Sequence, residues 1–185
     1  RMDGRQLTGF LLRQRLNYPA PIYYALMNLL SSHDIERLRT ALSVRLDARE
    51  LSCEQQAYFR VHPEQDARGQ LLQRLAVALV YSLPGAPAIY YGDEQGMQGF
   101  LDPFNRAPFV EGETALVEEY QLWAQLRKQY PALRSGAAAF LPVHGDVCCV
   151  LRFDTQGEAL LSVVNRSRFS VRCVVDLYYE GAGLT

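Results

Sequence analysis

Polar side chains that could do chemistry follow an apolar run early in the chain. Residues 22–30 are mostly apolar, and after two serines come His33 and Asp34. A carboxylate beside an imidazole can bind a sugar hydroxyl, orient a nucleophile or ligate a metal. The same pair also occurs in ordinary loops, where the two side chains satisfy each other. The elements that position the pair must therefore decide between these interpretations.

A second apolar run ends in the same way. Residues 86–91 lead into Asp93 and Glu94, and the run follows a predicted helix over residues 67–83 for which Asp66 is the candidate N-cap. Buried strands that alternate with helices are typical of parallel α/β architecture, in which ligands bind beyond the carboxyl ends of the strands. Both polar clusters are thus expected where ligands bind.

The rest of the chain divides into helices and then strands. Helical spacing of apolar residues predicts further helices over residues 2–16, 35–46 and 113–128. From residue 137 the pattern alternates with period two, which predicts antiparallel strands over residues 147–153, 160–164 and 169–175. We therefore predict a boundary between an α/β region, residues 1–136, and an all-β domain, residues 137–185.

Composition excludes several classes of protein. The 185 residues carry 19 Lys and Arg against 20 Asp and Glu, and 49% are hydrophobic, so the chain is globular and has no concentrated positive charge for nucleic acid or an anionic membrane surface. Its apolar runs are far shorter than the ~20 residues of a membrane-spanning helix. The four cysteines show neither metal-ligand spacing nor a disulfide framework. These features favour a reducing compartment, and a cytoplasmic location is expected.

Four motifs carry a resemblance to a known family. They are residues 28–37 (NLLSSHDIER), 83–94 (LPGAPAIYYGDE), 102–109 (DPFNRAPF) and 126–136 (LRKQYPALRSG). In their order and spacing they closely resemble the α-amylase family of glycoside hydrolases, family 13, and above all its neopullulanase and cyclomaltodextrinase branch. The resemblance covers nearly the whole chain.

The resemblance implies a (β/α)8 barrel with its site at the carboxyl ends of the strands. A complete barrel takes ~250 residues, whereas only residues 1–136 precede the β pattern here. The expected fold class is therefore α/β, with the C-terminal part of such a barrel followed by an antiparallel β-sandwich domain.

The resemblance also assigns roles to individual residues. Asp34 matches the family's carboxylate that stabilises the oxocarbenium-like transition state, and His33 matches its hydrogen-bonding neighbour. Asp102 and Arg106 match the acid–base pair that holds the next sugar, although a structural salt bridge is the alternative. Supporting roles in the site loops are expected for Arg37, Tyr91, Asp93 and Glu94. The residues indicate no metal ligands and no cofactor in this chain, and the resemblance does not decide whether the parent protein binds calcium.

The chain departs from the family at points that matter for activity. Retaining glycosidases need a nucleophile and an acid/base carboxylate ~5 Å apart, and neither of their motifs is found here. Ser31 stands where the branch usually has glycine, Ile35 where it usually has threonine, and Ala107 where relatives are often basic. We therefore expect the chain by itself to be inactive.

The expected function is that of a C-terminal fragment of a retaining α-glycosidase acting on starch, maltooligosaccharides or cyclomaltodextrins. One alternative is a non-catalytic carbohydrate-binding or protein-interaction module derived from the family, for which Tyr178 and Tyr179 offer a thin aromatic surface. Another is a transferase of the same family. Because a partial barrel exposes strand edges and apolar faces, the isolated chain is expected to self-associate.

Overall fold

The structure, a computed structural model, describes residues 3–141, 143 and 145–175. The helices, in chain order, are α1 (Gly4–Asn17), α2 (Ala20–Tyr23), α3 (Leu38–Ser43), α4 (Cys53–Tyr58), α5 (Pro63–Ser82), α6 (Thr114–Gln129) and α7 (Pro131–Ser135). The strands are β1 (Met27–Leu29), β2 (Ala86–Ala88), β3 (Ala137–Leu141), β4 (Val147–Phe153) and β5 (Ala159–Asn165). Short 3-10 turns lie at Ala48–Glu50 and Phe104–Arg106. β1 pairs with β2, and β4 is the central strand between β3 and β5.

The first of two compact units contains the residues up to 28, residues 78–87 and the residues from 124 onwards. Its centre is the antiparallel sheet of β3, β4 and β5. Alternation along β4 places Cys148 in a cluster with Leu11 of α1, and Cys149 in a separate cluster with Leu141 of β3. The period-two pattern therefore gives a central strand that is buried on both faces.

The second unit contains residues 29–77 and 88–123. Its apolar core includes Val44, Ala48 and Phe100, and the ring of Phe59 lies edge-on to that of Phe100 with centroids 5.0 Å apart. Edge-to-face rings of this kind add to the free energy gained by burying their area. Leu101, the neighbour of the predicted site residue Asp102, packs against this core.

A buried arginine connects three segments of the second unit. Arg39 is 1% exposed and donates to both carboxylate oxygens of Glu113 at 3.0 Å. It also donates to Oε1 of Gln73 at 2.9 Å and to Oδ1 of Asp66 at 3.3 Å. A buried guanidinium needs acceptors for its N–H groups. The network therefore holds α3, α5 and the start of α6 in fixed register within this unit.

The predicted helices are largely confirmed, with shifts at their ends. The helix expected over residues 113–128 is α6, whereas the one expected over 35–46 is reduced to α3. The helix expected over 67–83 begins earlier, because Pro63 fits the first turn of a helix. Asp66 therefore lies inside this first turn and is not its N-cap.

The predicted strands are confirmed in part. The strand expected before the His33 turn is β1, but it spans three residues, and Met27 and Leu29 are 63% and 49% exposed, so its expected burial is wrong. The strands expected over residues 147–153 and 160–164 are β4 and β5. Residues 169–175 form no strand, because the chain leaves the sheet after β5 through local hydrogen bonds around Asn165.

The boundary predicted between residues 136 and 137 separates domains of the family. The two compact units of the structure divide the chain at other positions and do not test it, so the boundary stays a prediction. Tyr178 and Tyr179 lie outside the described residues. Across the part of the chain that the structure describes, no helix is both long enough and apolar enough to cross a membrane.

Candidate functional site

The turn after β1 presents His33 and Asp34 to solvent. Their side chains are 61% and 72% exposed, and Nε2 of His33 lies 3.3 Å from Oδ1 of Asp34. The backbone N–H of Asp34 donates to Oγ of Ser32 at 3.1 Å, which stabilises the turn locally. Since the Asp34 carboxylate is mostly exposed, its oxygens are accessible to a hydroxylated ligand.

A second exposed pair lies on the loop after β2. Nε of Arg106 lies 3.1 Å from Oδ1 of Asp102, and the two side chains are 48% and 61% exposed. The same Nε–H also lies 3.3 Å from the carbonyl oxygen of His33. The structure thus brings the Asp102–Arg106 pair and the turn bearing Asp34 together, whereas their roles toward a ligand stay predictions.

Asn105 connects the same two segments from beneath. Its side chain is fully buried, and Nδ2 donates to the carbonyl oxygens of His33 and Ile35, both at 2.9 Å. Its role was not predicted from the sequence. The available signal was weak, because an asparagine in a short polar loop commonly makes only local contacts.

Arg37 is buried in the site and touches the segment after β2. Its guanidinium carbon lies 4.4 Å from the ring centroids of both Tyr90 and Tyr91. Nη1 donates to the carbonyl oxygen of Tyr91 and lies 3.7 Å from Oδ1 of Asp93. Arg37 therefore links its own segment to residues 90–93 through cation–π and charge-assisted contacts, and its supporting role in a site stays a prediction.

Asp93 is a buried anchor in this cluster. Its side chain is 4% exposed, Oδ2 accepts from Oγ of Ser31, and its backbone carbonyl accepts from Nε2 of Gln73 at 2.6 Å. Burial raises the pKa of Asp93 to about 6, although the Ser31 hydroxyl and the Arg37 charge both act to lower it. The serine that replaces the branch's usual glycine thus has a partner inside the fold.

Glu94 is half-buried, whereas Tyr91 is exposed. Oε2 of Glu94 is buried without a hydrogen-bond partner among the described residues. The Tyr91 side chain is 40% exposed, and its hydroxyl donates to the carbonyl oxygen of Ala107 at 2.7 Å. Tyr91 therefore connects the segment after β2 to the loop that carries Asp102 and Arg106.

Metal-binding geometry is a separate question for these side chains. Over residues 3–141, 143 and 145–175, no three or more His, Cys, Asp or Glu side chains are grouped so that they could hold a metal ion. What the arrangement can do chemically is accept and donate hydrogen bonds at an exposed surface, with charge on Asp34, Asp102 and Arg106.

Comparison with known proteins gives the family of this chain. No family model matches the chain. It is 31% identical over 188 residues to a cyclomaltodextrinase from Geobacillus thermopakistaniensis, which covers 99% of this chain and 28% of the relative. It is 32% identical over 151 residues to an amylopullulanase from Thermoanaerobacter thermohydrosulfuricus, covering 79% of this chain and 9% of the relative. A neopullulanase 2 from Thermoactinomyces vulgaris is 35% identical over 130 residues, covering 68% of this chain and 18% of the relative.

This chain is also similar to a solved structure. The cyclic α-maltosyl-(1→6)-maltose hydrolase from Arthrobacter globiformis superposes with a TM-score of 0.71 and 26% identity, over 89% of this chain and 32% of that chain. The chain therefore belongs to the α-amylase family of glycoside hydrolases and is similar to its neopullulanase and cyclomaltodextrinase members. It spans less than a third of the length of these curated relatives.

Proposed function

We propose that this chain is the C-terminal portion of a retaining α-glycosidase that hydrolyses α-glucosidic bonds in starch, maltooligosaccharides or cyclomaltodextrins. The observation that carries the proposal is the exposed Asp34 carboxylate, joined through the contact between Arg106 and the His33 carbonyl to the Asp102–Arg106 pair. The relatives named cyclomaltodextrinase and cyclic α-maltosyl-(1→6)-maltose hydrolase support this class of substrate.

In this proposal Asp34 is the carboxylate that stabilises the transition state. It accepts hydrogen bonds from hydroxyls of the sugar being cleaved, and its negative charge stabilises the positive charge that develops at the sugar ring. His33, 3.3 Å away, holds the same carboxylate and donates to the same sugar. The 72% exposure of the Asp34 side chain leaves its carboxylate oxygens open to a ligand.

The Asp102–Arg106 pair is assigned to the next sugar on the non-reducing side. Both side chains are exposed, so a sugar hydroxyl can reach the carboxylate and the guanidinium together. Arg37, Tyr91 and Asp93 support the two loops from below, through the contacts between Arg37 and residues 90–93. Glu94 is assigned to the same supporting group.

The proposal also covers the fold of the parent protein. β1 and β2 are assigned to the last part of a (β/α)8 barrel, and the sheet of β3 to β5 to the β-sandwich domain that follows it. The exposed apolar side chains of Met27, Leu29 and Ile89 support this assignment, because neighbouring barrel strands would cover them. In the isolated chain we expect them to drive self-association, and light scattering that shows a monomer at all concentrations would contradict this.

Hydrolysis requires two further carboxylates that this chain is not proposed to contain. A retaining mechanism uses a nucleophile and an acid/base carboxylate, and sequence analysis finds the motif of neither here. We therefore expect the 185-residue chain, purified alone, not to hydrolyse maltoheptaose. Activity of that chain above an empty-vector control would overturn this part of the proposal.

The decisive experiment uses the complete protein encoded by the gene. Asp34→Asn should lower kcat on maltoheptaose by about 10²–10³-fold, the loss seen when one transition-state contact is removed. Glu111→Gln, which changes an exposed carboxylate in the same unit, is the control and should leave kcat unchanged. If the complete protein binds maltoheptaose without turnover, the glycosidase proposal is overturned in favour of a binding module.

A further inference from the structure

We propose that Asn105 is a positioning residue that fixes the peptide backbone on both sides of Asp34, an inference that rests on the proposed function of Asp34. Asn105 is fully buried and makes no contact with solvent. Its Nδ2 donates one hydrogen bond to the carbonyl oxygen of His33 and another to that of Ile35, each 2.9 Å long. These are the carbonyls immediately before and after Asp34.

The geometry of an amide group explains why this contact can set a position. The two hydrogens of an Asn side chain lie in one plane at a fixed angle, so two acceptors on one Nδ2 are held at a fixed separation. Asp34 lies between the two held carbonyls of His33 and Ile35. Its carboxylate lies 3.3 Å from Nε2 of His33, and its side chain is 72% exposed, so packing does little to restrain it. The backbone anchors beneath therefore set the position from which the carboxylate extends.

The support for Asn105 is itself rigid. The 3-10 turn Phe104–Arg106 packs against Gly99, where a Cβ would lie 2.3 Å from the carbonyl oxygen of Phe104. Gly99 is fixed in turn, because its N–H donates to Oγ1 of Thr40 at 2.8 Å and its carbonyl accepts from the N–H of Arg37 at 2.9 Å. Only a residue without a side chain allows this close approach.

The same short turn also carries the ion pair that is proposed to bind the next sugar. Arg106 follows Asn105 directly, and its Nε–H lies 3.3 Å from the His33 carbonyl oxygen that Asn105 also holds. One backbone segment thus sets the positions of Asp34 and of the Asp102–Arg106 pair. Asn105 fixes the distance between the groups that would bind two successive sugars.

The test compares Asn105 with a second side-chain amide that also donates hydrogen bonds to two backbone carbonyls. In the complete protein, Asn105→Ala should lower kcat on maltotriose by about 10²-fold with KM changed by less than about 3-fold, because displacing a catalytic group by ~1 Å costs a loss of this size. The control is Gln56→Ala. Gln56 also donates to two backbone carbonyls in this unit, those of Ala48 and Leu51, and its Oε1 accepts from the N–H of Leu101. None of these contacts is with a residue that flanks Asp34, so the kcat of Gln56→Ala should stay unchanged.

A double variant separates positioning from general destabilisation. If Asn105 acts through Asp34, then Asp34→Asn combined with Asn105→Ala should have the same kcat as Asp34→Asn alone. Losses that multiply, or a Gln56→Ala loss equal to that of Asn105→Ala, would overturn the inference. If Asn105→Ala does not fold, Asn105→Ser takes its place. Its hydroxyl can donate one hydrogen bond, so kcat between those of wild type and Asp34→Asn is expected, and a wild-type kcat would overturn the inference.

The outcomes also distinguish this inference from the proposed function. If Asp34→Asn keeps the wild-type kcat, the role of Asp34 is wrong and the inference about Asn105 fails with it. If Asp34→Asn loses kcat while the Asn105 variants fold and keep it, only the positioning role is wrong.

Discussion

Two fully buried arginines serve the two compact units in different ways. In the first unit Arg152 donates to backbone carbonyls: to that of Ser82 at 3.1 Å, of Gly136 at 2.9 Å and of Ala137 at 3.3 Å. Burial lowers the pKa of Arg152 to about 10, and the positive charge of Arg127 acts in the same direction. Arg152 therefore holds the end of α5 against the start of β3 by hydrogen bonds alone.

In the second unit Arg37 is held by rings and a carboxylate. It lies 4.4 Å from the centroids of Tyr90 and Tyr91 and 3.7 Å from Asp93. Among the described residues, its buried Nε and Nη2 have no hydrogen-bond partner. The Arg152 guanidinium thus has hydrogen-bond acceptors for all three of its nitrogens. The Arg37 guanidinium, beside the predicted site, has an acceptor for only one of them among the described residues.

The difference between the two arginines shows where this sequence leaves buried polar groups without hydrogen-bond partners. Buried polar groups are normally paired, and exceptions concentrate where function constrains the choice of residue. Asp93, which also has a buried oxygen without a hydrogen-bond partner in the described part of the chain, lies in the same cluster as Arg37. In the described part of the chain, the site segments therefore contain buried polar side-chain atoms without hydrogen-bond partners, whereas the strands β3 to β5 contain none.

Arg152→Met should have the largest effect on stability. The change leaves three backbone carbonyls without their donor, and we expect the free energy of unfolding to fall by about 4 kcal/mol. Urea denaturation followed by circular dichroism measures this loss. Arg13→Met, at an exposed position of α1, is the matched control and should change stability by less than about 0.5 kcal/mol. Equal losses in the two variants would contradict the structural role of Arg152.

The next largest effect is a pH dependence that belongs to Asp93. Burial raises the pKa of its carboxyl from 3.8 to about 6, so the folded state holds the proton more tightly than the unfolded state. The resulting stabilisation is complete below pH 3.8 and is lost as the pH rises through about 6. The stability of wild type relative to Asp93→Asn should therefore fall by about 3 kcal/mol between pH 3.5 and 7. A difference that is constant across this range would show that Asp93 is not perturbed.

Sequence patterns could predict the elements whose signals are local. The periodicity of α6 and the alternation of β4 each lie within one segment, and both elements are found where expected. The polar end of β1 likewise marked the turn of Asp34. These parts of the fold and site depend on neighbours a few residues away.

Contacts between distant segments could not be predicted in this way. Asn105 binds carbonyls that lie 70 and 72 residues earlier in the chain. In α5 apolar residues occur on almost every side, so the pattern did not select the buried face. Leu71 is 61% exposed, whereas Gln73 is fully buried with polar partners. Which face of such a helix is buried depends on the segments that pack against it.

Arg37→Met should destabilise less than Arg152→Met. At pH 7 the change leaves the Asp93 carboxylate buried without its positive neighbour, but it also removes two unpaired donors, so we expect a loss of about 2 kcal/mol. Because Arg37 lowers the pKa of Asp93, its removal raises that pKa further, and at pH 5 the carboxyl is protonated. The loss should then be smaller at pH 5 than at pH 7. Urea denaturation at both pH values tests this, and a larger loss at pH 5 would be incompatible with the Arg37–Asp93 contact.

The smallest effect on stability is expected for Asp102→Asn. Its ion pair with Arg106 is exposed, and such pairs contribute less than about 1 kcal/mol because water and salt screen the charges. If the pair binds sugar, the same change should raise KM on maltotriose by about 10-fold in the complete protein, since a hydrogen bond to a charged group is lost. Thermal melting and steady-state kinetics on one preparation measure both effects. A stability loss above about 1 kcal/mol with unchanged KM would make this pair a structural salt bridge, the alternative that the sequence left open.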